Sequence, residues 1–145
     1  MKRQKILVCM LALVIMLANV SVGLAKSTES VWYASNERAG SDFEIHIWLE
    51  DHKLWGSHDA SARRGARIDS SRGEISIKGT LDNHSSKGKS NWTDYIVRWK
   101  SGYSDASGWA YLIFQEDGTV YWNIYEVEQP GEYYLPEEAI LYRQK

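Results

Sequence analysis

Apolar side chains recur at every second residue through two long stretches of this chain. In Phe43-Glu44-Ile45-His46-Ile47-Trp48-Leu49-Glu50 the phenyl and aliphatic groups occupy odd positions, and in Ile75-Ser76-Ile77-Lys78-Gly79-Thr80-Leu81 they do so again. Period two is the mark of a strand with one buried face. Further strands are read at 31–35, 53–57, 67–70, 94–100, 109–115, 119–126 and 139–143. The segments at 109–115 and 119–126 are apolar on both faces and should be central, with Glu116-Asp117-Gly118 turning them into a hairpin. Nowhere do apolar residues hold helical spacing for long. The best helical candidate is one turn at 135–140, opened by Pro136. Seven tryptophans and nine tyrosines suit pleated, half-buried surfaces, which strengthens the strand reading. The expected fold is all-β: a single antiparallel β-barrel or β-sandwich of about eight strands.

The N-terminus has a different character. Lys2, Arg3 and Lys5 precede an apolar run from Ile6 to Leu17, and small residues stand at Gly23 and Ala25. A basic start, an apolar middle and small residues before a cut form the pattern of an export signal. The expected division is a signal peptide at 1–25 and one all-β domain at 26–145. The apolar run is short for a membrane span of roughly 20 residues, so no stable anchor is expected after cleavage. Cys9 is the only cysteine and lies inside the signal. A mature domain of this kind is held by its core, without thiol chemistry. It would work in the periplasm or outside the cell.

Removing the signal leaves 14 basic against 19 acidic residues, a formal charge of −5. A mildly acidic chain without a sustained basic stripe argues against a nucleic-acid partner. It suits a basic protein partner.

Chemical motifs are sparse. His46, His52 and His58 recur at six-residue spacing, and His84 stands apart. A zinc site needs three or four ligands converging on one point, and this spacing does not supply them. His58 and Asp69 lie in a plausible neighbourhood for a serine-based relay, but no nucleophile elbow accompanies them. Glu44, Glu50 and Asp51 read as a solvated strand face and turn rather than a glycosidase pair. No catalytic residue, metal or cofactor is assigned. Asn83-His84-Ser85 and Asn91-Trp92-Thr93 fit the glycosylation pattern by chance.

Three polar, glycine-containing stretches read as loops: 58–65, 82–90 and 101–108. The first carries Arg63 and Arg64, and Arg67 opens the strand that follows it. Their forked donors suit an acidic group on a partner. Alternatively, Arg67 pairs with Asp69 or another carboxylate and pins the loop. The third carries Ser101, Gly102 and Tyr103. A tyrosine among serines and glycines makes an adaptable contact surface with one anchoring ring. Alternatively, Tyr103 folds back over the core.

Ser101-Gly102-Tyr103, on a small exported β domain, resembles the loop of the small periplasmic lysozyme-inhibitor proteins. In that group a Ser-Gly-containing loop with a nearby tyrosine enters the lysozyme cleft and engages its catalytic carboxylates. The present chain departs from many members in lacking disulfide cysteines, and Tyr103 follows Gly102 directly. The stretch at 56–69 also resembles uncharacterised secreted bacterial β proteins. The resemblance implies a non-enzymatic inhibitor or immunity protein acting on a cell-wall-attacking enzyme or toxin, with a basic enzyme such as lysozyme as partner. Ser101, Gly102, Tyr103, Arg63, Arg64 and Arg67 are the expected contacts. A small-ligand carrier and a small secreted hydrolase are the alternatives. An open apolar cavity would favour the first and a serine or carboxylate beside His58 in a cleft the second.

Overall fold

A computed structural model describes residues 28–82 and 93–145. The expected export signal with Cys9, nearly all of the loop at 82–90 with His84, and the Asn83 and Asn91 patterns lie outside the described residues.

The described chain is all-β. Its strands are β1 (Thr28–Asn36), β2 (Ser41–Glu50), β3 (Lys53–Ala62), β4 (Arg67–Ser70), β5 (Ile77–Leu81), β6 (Thr93–Lys100), β7 (Ser107–Phe114), β8 (Val120–Gln129) and β9 (Glu138–Arg143). Every pairing is antiparallel. Eight strands close a barrel in the order β2-β1-β9-β8-β7-β6-β5-β3, with β3 returning to β2, and β4 lies outside as an extra strand on β3. Closure removes the exposed sheet edges that a sandwich would leave. The hairpin turn between β7 and β8 falls where the sequence places it, with Gly118 at φ +81°.

The period-two pattern translates directly into inside and outside. Phe43, Ile45 and Ile47 point inward from β2, Tyr95, Val97 and Trp99 from β6, and Ala110 and Leu112 from β7; all are buried. Large and small residues stand side by side on neighbouring strands. One row runs Gly56, Ile77, Trp99, Gly108 across β3, β5, β6 and β7, and a second runs Leu54, Gly79, Val97, Ala110. The Trp99 indole fits because its neighbour on β7 has no side chain. A Cβ on Gly108 would lie 2.0 Å from the Glu126 carbonyl oxygen, so only glycine permits that approach. The β7–β8 register shifts beside this glycine, a local bulge that helps the sheet curl.

One barrel end is covered by the connection between β8 and β9. Leu135 is buried, Tyr133 packs on Trp99 at 4.8 Å between ring centroids, and Trp122 Nε1 donates to the Pro136 carbonyl at 2.8 Å. This connection is extended, and the helical turn expected at 135–140 does not form. Its apolar groups are spent on closing the barrel mouth, and β9 takes up Glu138–Arg143.

Two further expectations are corrected. The loop expected at 58–65 is strand as far as Ala62, because β3 keeps β2 on one side and exchanges β5 for β4 on the other. The alternation at 75–81 predicts an inward strand position for Ile75. That residue is 51% exposed, and β5 begins only at Ile77. The chain from 71 to 76 crosses from β4 to β5, so its alternation does not belong to a sheet.

Candidate functional site

The change of partner along β3 creates the candidate site. β5 pairs with β3 up to Gly56, and β4 pairs with it from Asp59. Between them stands His58, pointing inward and fully buried. Its backbone N–H takes the Ser71 hydroxyl as acceptor at 3.0 Å, and its carbonyl accepts the Ser71 N–H at 2.9 Å. Its side chain cannot reach water, so polar partners must come from the protein. Nε2 meets Asp69 Oδ1 at 3.0 Å, and Nδ1 meets the Ser76 hydroxyl at 2.7 Å.

Asp69 is fully buried as well. Oδ1 accepts from His58 and from the Gly102 N–H at 2.7 Å. Oδ2 accepts from the Ser101 hydroxyl at 2.8 Å and from the Tyr134 N–H at 3.0 Å. One carboxylate thus joins β4, β3, the loop at 101–106 and the β8–β9 connection. An ionised carboxylate only accepts, so the His58 nitrogen facing it carries a hydrogen. Burial pushes the Asp69 carboxyl up. The hydrogen bonds from His58, the Tyr134 N–H, Ser101 and the Gly102 N–H outweigh burial and hold it down to about 2.

That depression has a pH consequence with a definite sign. The ordinary value is 3.8, above the folded value. On acidification the unfolded chain takes up this proton first. The stabilisation is therefore complete above about pH 5 and is lost as the pH falls toward 2, a change of about 2 kcal/mol. Urea midpoints at pH 7 and pH 3 are expected to show about half of this change, roughly 1 kcal/mol, in the native protein and not in Asp69→Asn. An identical pH dependence in the two would refute the assignment.

The loop above Asp69 is held from beneath. The Ser101 oxygen also accepts from the Tyr103 N–H at 3.0 Å and the Ser104 N–H at 3.2 Å. The Ser104 hydroxyl donates to the Glu132 carbonyl at 2.6 Å and accepts from the Ala106 N–H at 3.1 Å. Gly102 lies against β4; a Cβ there would sit 2.0 Å from the Ser70 carbonyl oxygen. Such a loop has few alternatives available to it. It presents Tyr103, which is 45% exposed and packs edge-on against Tyr134 at 5.0 Å. The Glu132 carboxylate accepts the Tyr134 hydroxyl and pushes that phenol up to about 12, while the positive charge of Arg67 pulls the other way.

The six expected contact residues divide accordingly. Ser101 is buried, and its hydroxyl serves the loop's interior. Gly102 and Tyr103 are at the surface above it, and Arg67 is close enough to Tyr134 for its charge to be felt. Arg63 and Arg64 lie apart, at the tip of the β3–β4 hairpin. Both adopt positive φ, 53° and 57°, and the Arg64 N–H donates to Gly40 in the β1–β2 turn at 2.7 Å. Asp69 takes His58 rather than Arg67 as its side-chain partner, because β4 leaves Arg67 exposed while burying Asp69 against β3. Tyr134, Glu132 and Ser76 were missed by the sequence reading. They join the site across large sequence separations, and only the paired aromatics at 133–134, inside a connection, hinted at them.

Ser76, His58 and Asp69 share the hydrogen-bond connectivity of a nucleophile, base and acid. Ser76 also lines a cleft of about 510 Å³ with Ser71, Lys100 and Gly102. Reaction would need the imidazole edge to reach a substrate's leaving group. His58 is fully enclosed, and the N–H groups of Ser76, Ser101 and Gly102 already donate to Gly56, Ala106 and Asp69. The arrangement is suited to fixing the barrel end and the loop on it. Among the described residues, no three histidine, cysteine or carboxylate side chains are grouped as a metal site would require. No protein-family model, curated protein or solved structure matches this chain.

Proposed function

We propose that the chain is an exported, non-enzymatic binding protein of the inhibitor or immunity class, directed at a cell-wall-attacking enzyme or toxin. The single observation behind this reading is the half-exposed Tyr103 on a loop fastened from beneath by the buried Asp69. A ring held in place before encounter loses little freedom on binding, so more of its contact energy appears as affinity. Tyr134 beside it and Arg67 at its edge extend the surface. Tyrosine and arginine are the side chains most often found as interface anchors. The −5 charge of the mature chain favours encounter with a basic enzyme such as lysozyme.

The carrier alternative has less support. Trp32, Phe43, Tyr95, Trp99, Trp122 and Leu112 fill the barrel interior. The clefts beside Ser35, Ser76, Trp99 and Trp55 each include exposed positions and open on the outer surface. The enclosure of His58 likewise favours binding over hydrolysis.

The test is inhibition of a panel of lysozymes in a cell-wall clearing assay. Tyr103→Ala is expected to weaken inhibition at least tenfold, about 1.4 kcal/mol, with the urea midpoint unchanged. A protein that inhibits no member of the panel, or a Tyr103→Ala variant as potent as the native chain, would remove this reading.

A further inference from the structure

We propose that the outer face of β3, β5, β6 and β7 binds an acidic polysaccharide, a chain of pyranose rings bearing carboxylates. The site is separate from the Tyr103 loop. Residues opposite one another across these strands form a row: Trp55 on β3, Lys78 on β5, Arg98 on β6 and Trp109 on β7. Lys53 and Ile96 join them around an open cleft of about 580 Å³. Two cations therefore stand side by side between two tryptophans, on a protein whose mature charge is negative.

That placement is unfavourable for the free protein. Like charges directly opposite on neighbouring strands repel. Arg98 finds partial relief in Glu128, with Nη2 2.6 Å from the carboxylate, and lies 6.0 Å from the Trp109 ring centre. Lys78 has Trp55 on one side and Arg98 on the other. Among the described residues it has no carboxylate within ion-pair distance. An anion seated between the two cations would relieve the repulsion.

The tryptophans narrow the class of anion. Both are only partly exposed, set into the cleft rather than projecting from it. A membrane-inserting surface needs protruding apolar groups, and a nucleic acid would meet an acidic protein with few cations. The two indoles stand three strand spacings apart, ~14 Å, which accommodates several sugar rings. The positively polarised C–H face of a pyranose complements the negative face of an indole. Carboxylates along the chain would meet Lys78, Arg98 and Lys53. A closed barrel offers no strand edge here for an acidic peptide to extend.

Affinity electrophoresis of the whole protein tests this, with polygalacturonate, neutral dextran and polyglutamate cast separately in the gel. Retardation is expected with polygalacturonate, at an apparent affinity at least tenfold above that for polyglutamate, and none with dextran. Lys78→Glu should lower binding at least tenfold while raising the urea midpoint, because the new carboxylate pairs with Arg98. Trp55→Ala/Trp109→Ala should lower binding by a similar factor, and Trp55→Phe/Trp109→Phe, which keeps flat rings, should retain most of it. Tyr103→Ala should bind as the native chain does, which separates this surface from the inhibitory loop. Failure of polygalacturonate to retard the native protein would overturn the proposal. So would polyglutamate binding as well as the polysaccharide, which would indicate an acidic peptide surface. A Trp55→Ala/Trp109→Ala variant that binds undiminished would also overturn it, reducing the site to charge alone.

Discussion

Asp69→Asn is expected to lower the unfolding free energy by about 3 kcal/mol at pH 7, because it removes a buried carboxylate that accepts four hydrogen bonds and leaves a buried donor without an acceptor. The substitution keeps the shape and changes only what the group can accept. Each Asp69 oxygen receives one backbone N–H, Gly102 on Oδ1 and Tyr134 on Oδ2. An amide nitrogen placed at either position leaves one of those donors facing another donor. His58 can change tautomer and Ser101 can turn its hydroxyl, but a backbone N–H has no such freedom. The expected loss is a large share of the roughly 5–15 kcal/mol that holds a domain of this size. Urea unfolding should show a lower midpoint with an unchanged slope. The same variant should weaken inhibition by loosening the loop under Tyr103. A loss below about 1 kcal/mol would mean that the four donors find other acceptors, contrary to the geometry.

Trp99→Ala is expected to cost a similar 3–5 kcal/mol, for a different reason. Trp99 is fully buried, and its ring packs on Tyr133 in the connection that covers the barrel mouth. Its neighbour on β7 is Gly108, which has no side chain with which to fill the vacancy. Collapse is further opposed by the close approach of Gly108 to the Glu126 carbonyl. The cavity should therefore persist and add its own penalty to the lost burial. Near-ultraviolet circular dichroism should fall while the far-ultraviolet strand signal remains. Trp99→Phe should recover much of the stability, since it keeps a ring against Tyr133. Equal stability in the alanine variant and the native protein would show that the connection repacks into the space.

The strands at 43–50 and 77–81 were legible because a barrel wall with one buried face imposes period two, and those at 109–115 and 119–126 because of their aromatic and aliphatic content. Of the positions read as inward on β2, Phe43, Ile45 and Ile47 are buried and Leu49 is partly buried, and the hairpin between β7 and β8 has its turn at the predicted residues. The failures share a cause. At 58–62 small polar residues read as a loop, yet β2 and β4 flank this stretch and supply its backbone partners. At Ile75 the alternation continued past the end of the sheet, because nothing local marks the crossing from β4 to β5. At 135–140 a proline and apolar residues suggested a helical turn, whereas the barrel mouth draws Leu135 inward from an extended chain.

The site was legible in pieces. Tyr103 on a Ser-Gly loop stood out in the sequence, as did the neighbourhood of His58 and Asp69. What joins them did not, because Asp69 gathers donors from Ser101, Gly102 and Tyr134, at separations of 32, 33 and 65 residues. Alternation, with aromatic and β-branched content that pleated strands bury well, was enough to specify an all-β chain. That those strands close into a barrel rather than stack as a sandwich, and that a buried carboxylate ties the barrel end to the loop, emerged from the folded chain alone. Alternation is a property of one strand and its two faces. Closure and the sharing of one carboxylate depend on which strands meet, and that is settled by long-range pairing.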